Sequence, residues 1–288
     1  MNRSSAQRLR DLLAGPELIV MPCCYDALTA RLIERAGFPL TFMSGFAVSA
    51  ARLAAPDTGL ISFGEMLDEG RSICGAVGIP VIGDGDTGYG NALNVKRTVG
   101  EYARAGFAGV MIEDQVAPKR CGHTSGKQVV AFDEACQRVQ AAVDARDEGA
   151  DILIMARTDA RATDDLDEAI RRMRAFAAIG ADILFLEAPR SEAEMERFCR
   201  EVPGPKMANM LEQGATPVLA PARLREIGYQ IAAYPLTLLL AVLPVIERAL
   251  ADLKAGRPPQ DLASFAHLKD VVGFPGYFAA ERKYASRD

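Results

Sequence analysis

The chain has 288 residues, 49% of them hydrophobic and 25% charged, with a formal net charge of −5. This is ordinary globular composition, and a net acidic chain with no long basic run argues against a nucleic-acid partner. No apolar run reaches the roughly 18 residues of a membrane span, and the opening MNRSSAQRLRDLLAGPE lacks the apolar core of a signal peptide. The six cysteines are Cys23, Cys24, Cys74, Cys121, Cys136 and Cys199. They form no CxxC pair, and two histidines are few for zinc, so a disulfide framework or zinc site is not expected. A reduced, cytoplasmic protein is the expectation.

In chain order, eight short apolar runs recur: LIVMPCC, LTFMSG, PVIGDGD, GVMIED, ILIMART, ILFLEAP, PKMANML and QIAAYPL. Each is nearly continuously hydrophobic, as strands buried on both faces of a parallel sheet are. Helical patterns separate them. LTARLIERAG and NVKRTVGEYARAG each end in a glycine suited to a helix C-terminus. FDEACQRVQAAVDAR opens with an acidic first turn, and LDEAIRRMRAFAAIGA puts Ile170, Met173, Phe176 and Ala177 on one face. Eight strand–helix repeats predict a (β/α)8 TIM barrel, with a doubly wound open sheet as the alternative. Residues 1–288 read as one barrel domain. LTLLLAVLPVIERALADLKAG follows the last strand as a long apolar helix, and a helical extension runs over about 257–288. The extension suggests an oligomer.

Barrel sites lie at the C-terminal ends of the strands. Those ends carry Asp26, Ser44, Asp84 with Asp86, Glu113 with Asp114, Arg157 with Asp159, Glu187, Asn209 and Tyr234. In GDGDTGYGN, Asp84 and Asp86 are expected to face one way. With Glu113 they form an all-oxygen set suited to Mg2+, or to Mn2+ as the other hard cation. The plainer reading is a glycine-rich turn held by Asx bonds. Arg157 either neutralises these acids or binds a substrate carboxylate, and Glu187 either orients it or serves a helix N-cap. After the fourth strand, PKRCGHTSGK reads as a movable lid. Cys121 stands beside Arg120 and His123, with Lys119 two residues away, and is expected to have thiolate character or to donate a proton. For Cys121 the plain alternative is an incidental exposed thiol, and for His123 a structural pairing.

Together MSGFAVSA, DTGLIS, GDGDTGYGN, IEDQ, PKRCGH, ARTDA, EAP and NMLEQGATP resemble the isocitrate lyase and phosphoenolpyruvate mutase superfamily over nearly the whole chain. KRCGH resembles the loop of its carbon–carbon lyases. REIGYQIAAYPLTLLL and the tail from RPPQD resemble the petal death protein and 2,3-dimethylmalate lyase branch. The resemblance implies a last helix swapped between subunits of a homodimer or homotetramer. It implies Mg2+ held directly by Asp84, with Asp86 and Glu113 acting partly through water and Asp57 supporting the metal region. Ser44, Gly45 and Phe46 would grip an α-keto acid portion, Arg157 a substrate carboxylate, and Glu187 and Asn209 would complete the pocket. Gly122 counts among the substrate-binding positions. Thr124, and Leu240 or a close neighbour, stand where methylisocitrate lyases carry arginines, and Phe42 where the family has a tyrosine. The two missing arginines point away from tricarboxylates, and the missing tyrosine leaves the base for the 2-hydroxyl unassigned.

The resulting expectation is a Mg2+-dependent lyase acting on a small 2-hydroxy dicarboxylate of the 2-alkylmalate type. Cys121 would be the general acid, and Lys119 and His123 would support charge. Three other readings stand beside it: an oxaloacetate hydrolase giving oxalate and acetate, a phosphonate-metabolising mutase, and a silent barrel that binds a keto acid.

Overall fold

The computed structural model describes residues 3–120 and 126–285. Eight parallel strands alternate with helices. The strands are β1 (Ile19–Cys24), β2 (Thr41–Met43), β3 (Val81–Asp84), β4 (Gly109–Glu113), β5 (Leu153–Thr158), β6 (Ile183–Leu186), β7 (Met207–Asn209) and β8 (Ile231–Tyr234). The helices that precede the last strand are α1 (Ser5–Leu13), α2 (Ala27–Arg35), α3 (Gly45–Leu53), α4 (Phe63–Ala76), α5 (Ala92–Ala105), α6 (Phe132–Asp147), α7 (Ala160–Thr163), α8 (Leu166–Ile179), α9 (Glu192–Glu201) and α10 (Pro221–Ile227). After β8 come α11 (Thr237–Lys254), α12 (Phe265–Val271) and α13 (Phe274–Tyr284).

The sheet order is β6-β5-β4-β3-β2-β1-β8-β7, so first and last strands pair, as Ile19 with Ile231 through Pro22 with Tyr234. An isolated bridge from Leu184 to Lys206 joins β6 to the approach to β7. Pairing of β1 with β8 excludes the open sheet, and the expected TIM barrel is what forms. Side chains alternate across a strand, so every second residue enters the barrel. Ile19, Met21, Cys23, Phe42, Ile82, Met111, Leu153, Met155, Ile183, Phe185, Met207, Ile231 and Ala233 fill it as one buried cluster. Ala6 and Leu9 of α1 join that cluster. The polar-looking N-terminus therefore carries an amphipathic helix, capped by Ser4, that packs into the core. Burying a leucine such as Leu9, fully inaccessible here, stabilises the fold by about 1.5–3 kcal/mol.

By its internal packing the chain divides into two compact units, with the boundary after Thr237. The first holds the barrel. The second holds nearly all of α11 with α12 and α13, and α12 packs with α13.

Candidate active site

Strand alternation decides which polar residues reach the cavity. The inward positions Phe42, Ile82, Met111, Met155, Phe185 and Met207 are each followed two residues later by Ser44, Asp84, Glu113, Arg157, Glu187 and Asn209. All six line one cavity of about 70 Å3, together with Phe46, Asp57, Lys119 and Arg120. Its remaining lining includes Met111, Phe185, Leu211 and Leu236. The expectation that every strand end feeds this rim is corrected in four places. Asp159 is not among the lining residues and is held by Arg157 and Lys127. Asp26 caps α2, accepting from the Thr29 amide at 2.7 Å. Asp114 has the opposite parity to Glu113, and it accepts from the Thr158 hydroxyl at 2.6 Å and from Arg172 at 3.0 Å. Tyr234, opposite in parity to Ala233, is not among the lining residues.

Asp84 and Asp86 meet, but strand pleating is not the reason. β3 ends at Asp84, and Asp86 sits in a left-handed turn with φ of 48°. The Asp86 amide donates to Asp84 Oδ1 at 3.0 Å, so the Asx-type turn and the acidic rim coexist. The Tyr102 hydroxyl donates to the Asp84 carbonyl at 2.7 Å. Ser44 caps α3, and Gly45 opens that helix, where free amides favour negative charge. The Gly45 amide donates to Asp84 Oδ2 at 3.2 Å. Phe46 follows in the same turn.

Lys119 lies among the acids. Its Nζ is 2.6 Å from Asp57 Oδ1 and 2.8 Å from Asp86 Oδ1, and its side chain is 5% exposed. Burial works to lower its pKa, but Asp86, Asp84, Asp57 and Glu113 together hold it well above the usual lysine range. Burial, reinforced by Asp86, raises the Asp84 pKa. Burial also pushes Glu113 well up, against the pull of Arg157. Arg157 Nε and Nη2 donate to the two Asp159 oxygens at 2.8 and 3.1 Å, and Nε lies 3.3 Å from Glu113 Oε2. The guanidinium sits 5.3 Å from the Phe185 ring centroid, a cation–π contact. Its Nη1 hydrogen-bonds to no described residue. The Asn209 amide donates to Glu187 at 3.3 Å. Glu187 does not serve as an N-cap, since Ser191 caps α9. Cys121, Gly122 and His123 lie outside the described residues, as does Thr124. The segment around them is framed by a Gln115–Val129 bridge, and the Gln115 side chain holds both the amide and carbonyl of Arg120 at 2.9 Å.

Among the described residues no three His, Cys, Asp or Glu side chains surround a common point. Mg2+ does not need such a cage. It is usually held by one or two carboxylates and keeps several waters. The donor chemistry here fits it: Asp84, Asp86 and Glu113 are buried oxygen donors, and Glu113 Oε1 has no hydrogen-bond partner among the described residues. A titration follows from the raised Asp84 and Glu113 pKa values. Asp57, Asp86, Asp159, Lys119 and Arg157 face them. A folded-state carboxyl pKa above its unfolded value means that the folded protein holds more protons. Stability of the metal-free protein therefore falls as pH rises from the ordinary carboxylate range toward those raised values. A bound cation replaces the proton, so added Mg2+ should raise Tm more at pH 8 than at pH 5. Equal shifts at both pH values in thermal unfolding would place the cation elsewhere.

A closed barrel whose strand ends bring buried carboxylates, a lysine and an arginine to one small cavity defines a barrel enzyme built for a small anionic substrate. A family model described as phosphoenolpyruvate phosphomutase matches residues 9–254. The chain is 41% identical to a 2,3-dimethylmalate lyase of Eubacterium barkeri, covering 98% of this chain and 99% of that one. It is 37% identical to the petal death protein of Dianthus caryophyllus, covering 92% and 85%. A solved oxaloacetate acetylhydrolase bound to 3,3-difluorooxalacetate superposes with a TM-score of 0.95 at 34% identity, covering 99% and 98%. A phosphonopyruvate hydrolase solved with oxalate and Mg2+ superposes with a TM-score of 0.85 at 30% identity, covering 98% and 99%. The chain belongs to the phosphoenolpyruvate mutase family, within the isocitrate lyase superfamily. It is an enzyme, a carbon–carbon lyase.

Alternation could have found Arg120's neighbours and the apolar floor, because parity marks every inward residue. Sequence reasoning did not place Lys119 between Asp57 and Asp86, which are 62 and 33 residues away in the chain. It also passed over Lys127, whose Nζ is 2.8 Å from Asp159.

Proposed function

We propose that the protein is a Mg2+-dependent lyase that cleaves a 2-alkylmalate-type dicarboxylate into an α-keto acid and a carboxylic acid. The observation that carries this reading is one small cavity lined jointly by Asp84, Glu113 and Arg157, with Arg157 Nη1 unspent. Similarity to 2,3-dimethylmalate lyase over 98% of the chain supports the substrate class. Asp84 would hold the cation, with Asp86, Glu113 and Asp57 around it. When bound, the cation polarises the 2-hydroxyl and its neighbouring carboxylate.

Arg157 receives the far carboxylate, and the α3 N-terminus at Ser44, Gly45 and Phe46 receives the keto-acid end. Glu187 and Asn209 close the wall. The hydroxyl proton passes to a rim carboxylate, its oxygen forms the new carbonyl, and the carbon–carbon bond pair passes to the departing half as an enolate. Cys121 gives that carbon its proton, with His123 and Lys119 supporting charge and Gly122 against the substrate. Thr124, and Leu240 or a close neighbour, in place of arginines, disfavour a substrate with a third carboxylate.

A coupled assay for α-keto acid from 2-methylmalate, 2,3-dimethylmalate and 2-methylisocitrate, with and without Mg2+, tests this reading. Metal-dependent release from the alkylmalates and little from methylisocitrate is expected. Cys121→Ser should lower kcat by roughly 10²–10⁴-fold with KM little changed. Full activity in that variant would remove the thiol from the chemistry. The second reading, hydrolysis of oxaloacetate, is favoured by the TM-score of 0.95 to the acetylhydrolase complex. Oxalate as the only product would select it.

A second copy of the chain is the proposed partner, in a homodimer or homotetramer that exchanges the last barrel helix. None of the 18 residues of α11 is buried, and Leu243, Ile246, Leu250 and Leu253 make an exposed apolar stripe at helical spacing. Light scattering giving the mass of one chain would overturn this. Five free cysteines among the described residues support a reducing, cytoplasmic setting. No helix among the described residues is long and apolar enough to cross a membrane.

A further inference from the structure

Asp159 is fully buried at the end of β5 and serves two cations at once. Arg157 grips it with Nε and Nη2, and Lys127 Nζ reaches Oδ1 at 2.8 Å. The Asp159 carboxylate is fixed from behind as well. Its own amide donates to Asp114 Oδ1 at 3.0 Å, and Asp114 is held in turn by Thr158 and Arg172. Lys127 is equally confined, with a side chain 4% exposed. The backbone beside it is pinned where the Val116 amide donates to the Gln128 carbonyl at 2.8 Å and the Val130 amide to the Asp114 carbonyl at 2.9 Å.

We propose that Lys127 is a positioning residue for the substrate carboxylate: by sharing Asp159 with Arg157, it keeps part of the guanidinium charge, and its Nη1 edge, available to the cavity. This rests on the proposed role of Arg157. With one cation on Asp159, the carboxylate would spend its whole charge on Arg157. A buried one-to-one pair attracts a third charge weakly, and in a poorly screened interior that difference is large. Two cations on Asp159, with Glu113 Oε2 3.3 Å from Arg157 Nε as a further acid, leave the guanidinium more positive toward the incoming carboxylate than a one-to-one pair would. Lys127 touches neither substrate nor the reacting carbons in this arrangement. Its influence passes through Asp159.

The geometry makes a distinction between charge and mere packing. Lys127→Gln keeps a donor on a slightly shorter side chain but loses the charge. Lys127→Arg keeps the charge. For the substrate turned over in the dicarboxylate panel, Lys127→Gln should raise KM about tenfold, the loss of roughly one charge-assisted contact, with kcat changed less than about threefold. Lys127→Arg should recover most of the affinity. In parallel, calorimetry with succinate, a dicarboxylate that lacks the 2-hydroxyl and is not cleaved, should show in the presence of Mg2+ a similar weakening for Lys127→Gln, and a larger one for Arg157→Lys. These binding measurements do not depend on turnover.

Succinate affinity unaffected by Arg157→Lys would overturn the assigned role of Arg157, and the inference with it. Weakening by Arg157→Lys but none by Lys127→Gln would overturn the positioning role alone. A Lys127→Gln protein that loses kcat and KM together, unrescued by Lys127→Arg, would also overturn it, because that pattern marks a structural residue.

Discussion

Lys119→Met should be the most damaging single substitution for the metal-free protein. Lys119 Nζ lies 2.6 and 2.8 Å from Asp57 and Asp86, and all three side chains are about 5% exposed. Asp84 and Glu113 add negative charge beside them. Methionine has a similar volume, so packing changes little while two buried carboxylates lose their only close cation among the described residues. Removing one partner of a buried pair costs about 3–5 kcal/mol, because the remaining charge is neither solvated nor paired. For a chain of this size that corresponds to a fall in Tm on the order of 10 °C. The variant has one escape, which is to protonate. Burial already raises Asp84 and Glu113, and Lys119 opposes that rise. Without it the acids hold protons more tightly, and the deficit narrows at low pH. Mg2+ should recover part of the lost Tm, since a ligand bound only by the folded state stabilises it in proportion to the logarithm of its concentration. Thermal unfolding with and without Mg2+ at pH 5 and pH 8 gives the measurement. An unchanged metal-free Tm at pH 8 would mean that the acids are not held by this lysine.

The barrel was legible because eight buried strands leave eight apolar runs, and helices with ordinary caps separate them. The cavity wall was legible for the same reason. Ser44, Asp84, Glu113, Arg157, Glu187 and Asn209 each continue the inward parity of a strand whose preceding inward residue is apolar. Parity also removes Asp114, which sits beside Glu113 in sequence yet packs against Thr158 and Arg172. Asp86 was placed correctly for the wrong reason: the strand stops at Asp84, and a left-handed turn returns the second carboxylate to the rim. What the sequence hid were contacts made across the chain by long flexible side chains. Lys119 and Lys127 belong to the same loop, yet one serves Asp57 and Asp86 and the other Asp159. No periodicity encodes such a choice, because a lysine's reach covers several strand ends. α1 was hidden differently. Its run of polar residues masks Ala6 and Leu9, which enter the barrel interior with Leu12 and Leu13 packed beside them.

Gly45→Ala should cost activity while leaving the fold intact. On helix propensity alone the change favours the protein by up to about 1 kcal/mol, since glycine is a poor residue within a helix. Nor does the backbone require glycine there, because Gly45 is not among the residues with positive φ. The reason lies in the approach of a carboxylate. A methyl carbon at Gly45 would stand 2.5 Å from Asp84 Oδ2 and 3.0 Å from its carboxyl carbon. Asp84 cannot retreat freely. Its Oδ1 holds the Asp86 amide at 3.0 Å, and its carbonyl is held by Tyr102 at 2.7 Å. The side chain must rotate, and the amide contact to Oδ2 at 3.2 Å is lost. A displacement of about 1 Å at a positioned catalytic group costs on the order of 10²-fold, and that is the fall expected in kcat/KM. Mg2+ should also bind more weakly by calorimetry, while Tm moves by no more than a few degrees, as for a tolerated overpacking of about 1–3 kcal/mol. Gly75→Ala is the matched control. Gly75 also lies within a helix, α4, but a methyl there meets nothing within 4 Å. It should be neutral or stabilising and fully active. Full activity and unchanged Mg2+ affinity in Gly45→Ala would show that Asp84 tolerates displacement, and Asp84 would then lose its place as the direct metal ligand.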